Sequence, residues 1–479
     1  MRRLAPFLAL LAAACALGPD YRDPQLPVPS QFAEANGPAG MDDAQLASWW
    51  RTFGDPKLSE LIERALTQNL DVESAAARIR EARALERAAG AAPWPELSGQ
   101  ASATRQRISE NAVAVPPGTS NGGAQGRSFG LAGSEFSTFR IGFDASWELD
   151  LFGRERRSVE AARARTAAAV WTSRDTQVSI AAEVGRTYFR LKTLRERYRN
   201  AEAESARAAR LERLAAARAA GGLANAEELR SLQSDRSVAA AALPTIRADV
   251  EVETHALGVL VGTGPSAFAS GIYLRPSTPP EAIDVPPGLP SDLLRRRPDI
   301  RAAERQLAAA TADIGVAVAE LYPSFSLTAT PGLVSTALAS LIEWGSRSFT
   351  AAAAVDWPIF DGGRRRANVA VANARQEQAL TAYRKTVLAA LQDVEDALSR
   401  IEGNRGRLQQ MEGALIGARA AEQLAETRFR GGLVTYSDVL AAQGRRLSLE
   451  EQAITTRGSL AHDTAALFKA LGGGWGEDL

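Results

Sequence analysis

The chain has 479 residues with 56 basic and 56 acidic side chains, so it has no net charge with which to grip a polyanion, which argues against nucleic acid as a partner. Two His and one Cys are too few for a zinc or iron centre of the usual ligand number, and one thiol makes no internal disulfide. Hydrophobic residues make up 45% of the chain but aromatics only 6%, and Ala dominates; small side chains at that density suit closely packed helices better than a bulky globular core.

At the N-terminus, Arg2 and Arg3 precede an apolar run from Leu4 to Ala14. That is the length of a signal-peptide core and too short to cross a bilayer of roughly 30 Å as a helix. Residues 1–14 therefore read as a signal peptide and the chain as exported. The run ends Leu11-Ala12-Ala13-Ala14 before Cys15, the only Cys, and resembles a bacterial lipobox with Ala12 at the place usually taken by Leu. In that reading Cys15 becomes the mature N-terminus and carries a covalent diacylglycerol and an N-acyl chain, a lasting anchor where a single chain would be marginal. Ordinary cleavage that leaves Cys15 unmodified is the alternative. No later stretch reaches the roughly 18 consecutive apolar residues of a membrane helix, so any further membrane contact falls to strands or acyl chains.

After an N-terminal extension over 15–55, the chain is written twice, with a first repeat at 56–265, a linker at 266–290, a second repeat at 291–471 and a tail at 472–479. Trp147 to Arg154 (WELDLFGR) and Trp357 to Arg364 (WPIFDGGR) lie 210 residues apart. Arg218, Gly221-Gly222-Leu223 and Gln233 recur at the same offset as Arg428, Gly431-Gly432-Leu433 and Gln443. Upstream, Trp94-Pro95-Glu96-Leu97-Ser98 matches Tyr322-Pro323-Ser324-Phe325-Ser326 at an offset of 228. The first copy thus carries extra residues around Ser109 to Ser137, a Gly, Ser, Asn and Pro-rich stretch that reads as a long exposed loop.

Each copy opens with a helix, Leu58 to about Ala89 and about Ile300 to Ala319, stopped by Pro93 and Pro95 or by Pro323. Two alternating segments follow. Phe139, Ile141, Phe143, Ala145, Trp147 and Leu149 share one face, with Arg140, Asp144, Ser146 and Glu148 on the other. In the second copy Phe325, Leu327 and Ala329 alternate with Ser326, Thr328 and Thr330, and Phe349, Val355, Trp357 and Ile359 share a face with Ala351 and Ala353. Period-two segments of this kind fit the tilted strands of a membrane barrel or a half-buried soluble sheet; the exported N-terminus favours the barrel.

Gly153 and Gly363 then open long helices. Apolar residues recur every seventh position at Val170, Val184, Leu191 and Tyr198, with only Gln177 interrupting, and at Leu380, Val387, Val394 and Ile401, the spacing of supercoiled helix pairs. Asn200 and Gly403-Asn404 read as tight turns, each followed by a returning helix that ends at the Gly-Gly-Leu landmark, so that each copy carries a helical hairpin. The Gly-Gly-Leu motifs read as helix caps with Gly in the left-handed conformation. Trp147 and Trp357 end their strands, where they either anchor at a membrane interface or plug the strand-to-helix junction.

Two strands per copy give four per chain, which cannot close a barrel, and open edges are intolerable in lipid because unpaired backbone groups there cost several kcal/mol each. If these strands enter a membrane, subunits must pool them. A trimer would supply twelve strands continued by twelve helical columns, a mostly α architecture with a membrane β-barrel.

The opening Cys15-x-x-Gly18-Pro19-Asp20-Tyr21-x-x-Pro24, WWRTFGDPKLSELI from Trp49, LLRRRPDIRAAERQL from Leu293, ELYPSFSL from Glu320, WPIFDGGRRR from Trp357 and RFRGGLVTYSDVLAAQ from Arg428 resemble the outer-membrane factor (TolC-type) efflux family, in its lipoprotein branch. The resemblance covers nearly the whole mature chain. It implies a homotrimer with a 12-stranded outer-membrane β-barrel, a 12-helix periplasmic α-barrel and an equatorial domain. The role it implies is a passive exit duct for drugs and toxic small molecules, docked through a periplasmic adaptor to an inner-membrane pump. No Gly-rich phosphate loop followed by Lys-Ser/Thr is present, so the chain has no evident means of spending ATP.

In this family acidic rings constrict the periplasmic aperture. Asp393 and Asp396 lie on the face opposite Leu391, Val394 and Leu398, near the expected hairpin tip, and threefold repetition would set six carboxylates around the narrow end. An ordinary solvated helix face is the alternative. Glu183 takes the Asp393 position in the first copy and Arg186 replaces Asp396, so the two hairpins differ in charge. His255 and His462 read as incidental.

Three rival functions remain. A periplasmic adaptor lipoprotein needs one hairpin flanked by β-rich domains, whereas two tandem hairpins stand here. An enzyme needs a clustered nucleophile, base and orienting group, and none is visible. Polypeptide secretion or metal export keeps the fold and changes the cargo; scarce Met and His disfavour a soft-metal relay.

Overall fold

The two halves of the chain build the same series of elements. The computed structural model describes residues 16–34, 40–109, 135–223, 226–269 and 283–476; Cys15 and most of the loop expected around Ser109 to Ser137 lie outside the described residues. In the first half, helices α1 (Pro56–Gln68) and α2 (Leu70–Ala91) precede strands β1 (Glu96–Arg107) and β2 (Glu135–Leu149), then helices α3 (Arg154–Ala220) and α4 (Ala226–Leu260). In the second half, α5 (Pro298–Ala319) leads to β3 (Ser324–Ala329), β4 (Gly332–Ser335), β5 (Arg347–Ser348) and β6 (Ala351–Asp356), followed by α6 (Arg364–Arg430) and α7 (Tyr436–Ala470). Helices α3 and α6 have 67 residues each, α4 and α7 have 35 each, and α2 and α5 have 22 each. Among the described residues no helix is long and apolar enough to cross a membrane.

Three expectations need correction. The single helix from Leu58 to Ala89 is two helices, because the Asn69 side chain turns the chain: its Oδ1 accepts from Asp71 N at 2.8 Å to cap α2, and its amide donates to Leu260 O at 2.9 Å. The turns expected at Asn200 and Gly403-Asn404 do not exist, since α3 and α6 run unbroken through them. Their intrinsic turn preference is overridden by partners elsewhere: Asn200 Nδ2 donates to Leu447 O at 3.0 Å and Asn404 Nδ2 to Asp463 Oδ2 at 2.8 Å. The reversals sit at Gly-Gly-Leu instead. Gly222 (φ 71°) and Gly432 (φ 72°) take the left-handed conformation, and Leu223 N and Leu433 N donate back to Arg218 O (2.8 Å) and Arg428 O (2.9 Å), the bonding of a Schellman cap. Each hairpin is therefore α3 with α4, or α6 with α7. Finally, the face-sharing segment expected from Phe349 to Ile359 ends as a strand at Asp356, and Ile359 is off it and exposed.

The chain divides into two compact units, 1–22 with 83–164 and 308–378, and 23–82 with 165–307 and 379–479. The first unit contains the sheet. β1 and β2 pair antiparallel from Glu96↔Ser146 to Arg107↔Glu135. β2 pairs with β3 (Ala145↔Ala329) and, in the same register, with β4 (Gly142↔Gly332); β3 and β4 are one strand interrupted at Thr330-Pro331, where proline offers no N–H. β6 and β5 likewise continue one register against β3 and β4. Four antiparallel strands result, and their outer members β1 and β5–β6 each have one unpaired edge among the described residues.

The second unit is helical. Trp49 stacks on Phe468 (ring centroids 5.0 Å) and meets Trp50 edge to face (5.9 Å), while Phe53 packs on Phe189 at 4.8 Å. Of the seven-residue seam, Val184, Leu191, Val387, Val394 and Ile401 are buried in this core. Asp55 caps α1 by accepting from Lys57 N at 3.0 Å.

Candidate functional site

Residues directly opposite across a ladder share a face. The registers therefore gather Leu97, Ala101, Phe139, Ile141, Phe143, Ala145, Trp147, Leu149, Phe325, Leu327, Ala329, Ala353 and Val355 on one side of the sheet. The other side carries Glu96, Ser98, Gln100, Ser102, Arg140, Asp144, Ser146, Glu148, Ser326, Thr328 and Asp356. A sheet buried by its own chain would hide the apolar face. Here Leu97, Ile141, Phe143 and Val355 stand exposed, and among the described residues no helix covers them. Among these residues the wall is amphipathic, two-sided and open at both edges.

The base of this wall is tied to the residues that follow Cys15. Leu17 N donates to Phe152 O at 3.3 Å, and Arg157, its side chain only 5% exposed, donates to Leu17 O (3.1 Å) and to Asp20 Oδ1 (2.7 Å) while pairing with Glu160 (2.7 Å). Burial would depress this guanidinium, but the bonds to Asp20 and Glu160 outweigh it and raise its pKa. Gly18 (φ 90°) passes so close to Gly315 that a Cβ would come within 2.5 Å of the latter's Cα. No sequence pattern singled out Arg157.

In the helical unit, α3 and α7 run antiparallel and are joined by polar staples. Arg186 Nε donates to His462 Nε2 (2.8 Å), Arg197 to Glu451 (2.6 Å), Asn200 to Leu447 O, and Arg207 Nη1 to Leu440 O (3.3 Å). A second polar cluster ties Asp55 Oδ2 to Tyr188 OH (2.7 Å) and Lys192 Nζ (3.0 Å). Burial alone would raise Asp55; the bonds from Tyr188 and Lys192 prevail and lower it, while burial and Asp55 together push the Tyr188 phenol far up.

The residues expected at the hairpin tip are placed differently. Asp393 and Asp396 lie inside α6 about 35 residues before the Gly431-Gly432 turn, roughly 50 Å of helix. Asp393 accepts from Arg297 Nη1 at 3.1 Å, and Asp396 is 3.8 Å from Arg400. Glu183 is 3.7 Å from Arg186, whose own bond goes to His462. His462, which reads as incidental in the sequence, is thus a staple residue. The tips themselves present Leu223 and Leu433, 73% and 77% exposed at matching positions of the two repeats. Cys15 lies outside the described residues.

A family model described as outer membrane efflux protein matches residues 61–263 and 289–473. The chain is similar to the pyoverdine export outer membrane protein OpmQ of Pseudomonas aeruginosa, 32% identical over 470 residues that span 98% of this chain and 96% of that protein. It is similar to the cation efflux system protein CusC of Escherichia coli, 31% identical over 484 residues and 99% of each. Among solved structures it matches the outer-membrane channel OprN with a TM-score of 0.83 and 30% identity, over 96% of this chain and 100% of that one.

Proposed function

The chain belongs to the outer membrane efflux protein family, and from that premise we propose that three copies form the passive exit duct of a tripartite pump for small molecules. Its fold is the TolC-like arrangement of long helices and strands, and it is a channel of the outer membrane extending into the periplasm and not an enzyme. It works as a component of an efflux system.

The observation that carries the trimeric reading is the four-stranded wall with an exposed apolar face, a polar face and two unpaired edges. Lipid suits the first face, water the second, and each edge can pair with the opposite edge of a neighbouring copy. Lipid anchoring through Cys15 is supported by the strap at Leu17 to Asp20, which holds Ala16 against Gly153 at the junction of β2 and α3. The exposed Leu223 and Leu433 support docking of a periplasmic adaptor at the hairpin tips, through which an inner-membrane pump supplies the energy. Asp396 and Glu183, half exposed, are proposed as duct-lining charges that favour cations, well away from the tip. As for cargo, relatives are described by pyoverdine and by cations, and a wide aqueous duct for small solutes accommodates either class.

The test is reconstitution of the purified, acylated chain into liposomes that hold a small polar fluorophore. Release from these liposomes, but none from liposomes that hold a folded protein, is the expected result. Impermeable liposomes would overturn the reading.

A further inference from the structure

The bond between Arg186 and His462 sets the protonation state of the imidazole. A guanidinium only donates, so Nε2 of His462, at 2.8 Å from Arg186 Nε, must be unprotonated and the ring proton must sit on Nδ1. That nitrogen faces Asp463 Oδ1 at 3.4 Å, and the other oxygen of Asp463 accepts from Asn404 Nδ2 at 2.8 Å. One run of hydrogen bonds therefore joins α3, α7 and α6, and it is complete only while His462 is neutral.

The surrounding charges are already engaged. On α3, Glu183 stands 3.7 Å from Arg186, and Arg190 pairs with Glu253 of α4 at 2.9 Å. On α6, the residues flanking Asn404 are committed as well: Arg400 faces Asp396, and Arg405 pairs with Glu402 and Asp284. On α7, Asp463 is held by Asn404. A second proton can enter the ring only at Nε2. It would remove the acceptor that Arg186 uses and set an imidazolium directly against a guanidinium. Asp463 would support the charged ring from Nδ1, and Glu183 is in place to take Arg186 when it turns away.

We propose that His462 is a proton-operated staple: neutral, it links Arg186 of α3 to α7 and α6; protonated, it releases Arg186, which loosens α3 locally while the bonds of Arg197, Asn200 and Arg207 remain, and the duct widens. The inference rests on the reading of this chain as a channel. The stapled form excludes the second proton, so it prevails at high pH and is lost when acid protonates Nε2.

The experiment is the single-channel conductance of the purified full chain in planar bilayers at about pH 8 and about pH 5, the range over which histidine side chains in general change charge. Wild type should conduct severalfold more at the lower pH. His462→Gln keeps an acceptor for Arg186 and does not titrate, so its conductance should stay low at both. If His462→Gln does not assemble, Arg186→Gln, which can donate to the neutral ring and does not repel the charged one, must lose the response instead. Equal wild-type conductance at the two values, or an unchanged pH response in the variant that assembles, would overturn the staple. Wild type that fails to conduct at any pH counts against the channel reading itself.

Discussion

Arg297 reaches Asp393 across 3.1 Å and, with the same guanidinium, binds Asp299 (2.6 Å) and the carbonyl of Ala470 (3.0 Å). It therefore joins the start of α5, the middle of α6 and the end of α7 within the helical unit. Burial would depress Arg297, yet its carboxylate partners raise its pKa, so it is a charge whose partners are needed. Arg297→Ala should lower unfolding stability by about 2 to 4 kcal/mol, because it strands Asp299 and a buried carbonyl together. Asp393 is half exposed, and Asp393→Ala should lower stability by about 1 kcal/mol or less. Denaturant titration of the detergent-solubilised protein compares the two, and an equal effect would place the importance on the Asp393 side.

Asp55 supplies a stability that is lost in acid. Its carboxylate is held below the ordinary value, so the unfolded chain binds this proton more readily than the folded one. The contribution is complete above about pH 4, near the ordinary Asp value, and lost as pH falls through the lower folded value. Thermal melts between about pH 3 and pH 6 should show a steeper acid loss for wild type than for Asp55→Asn, which should itself be less stable near neutrality by about 1 to 3 kcal/mol. Parallel curves would remove Asp55 as the source.

If the tips dock an adaptor, Leu223→Asp with Leu433→Asp should abolish drug resistance in cells while leaving bilayer conductance unchanged. Leu424→Asp, exposed on α6 away from the turn, serves as the control and should retain resistance. Resistance retained by the double variant would move docking elsewhere.

Duct-lining charge is tested by the reversal potential in a salt gradient. Asp396→Asn with Glu183→Gln should shift it toward zero as cation preference falls. An unshifted potential would make both residues ordinary surface acids.

Much of this was legible in the chain because it depends on local pattern. The period-two face of Phe139 to Leu149, the buried seam at Val184, Leu191, Val387 and Val394, and the left-handed glycines of the Gly-Gly-Leu turns each follow from spacing or from a residue's own conformational range. The hairpin reversals were misplaced for a physical reason. Asn200 and Asn404 favour turns in isolation, but amide bonds to residues some 60 to 250 positions away in sequence hold them in helices. That one displacement carried Asp393 and Asp396 away from the tip. Arg157, Arg297 and His462 were illegible as staples, since an Arg or a His on a helix looks the same in sequence whether it meets water or a partner.

In the proposed trimer, a wall with two open edges among the described residues closes its barrel only with copies of the same chain. Native mass spectrometry of the unheated, detergent-extracted protein should then show one species close to three times the mass of the mature acylated chain. A single-copy species that conducts equally well would rule the trimer out.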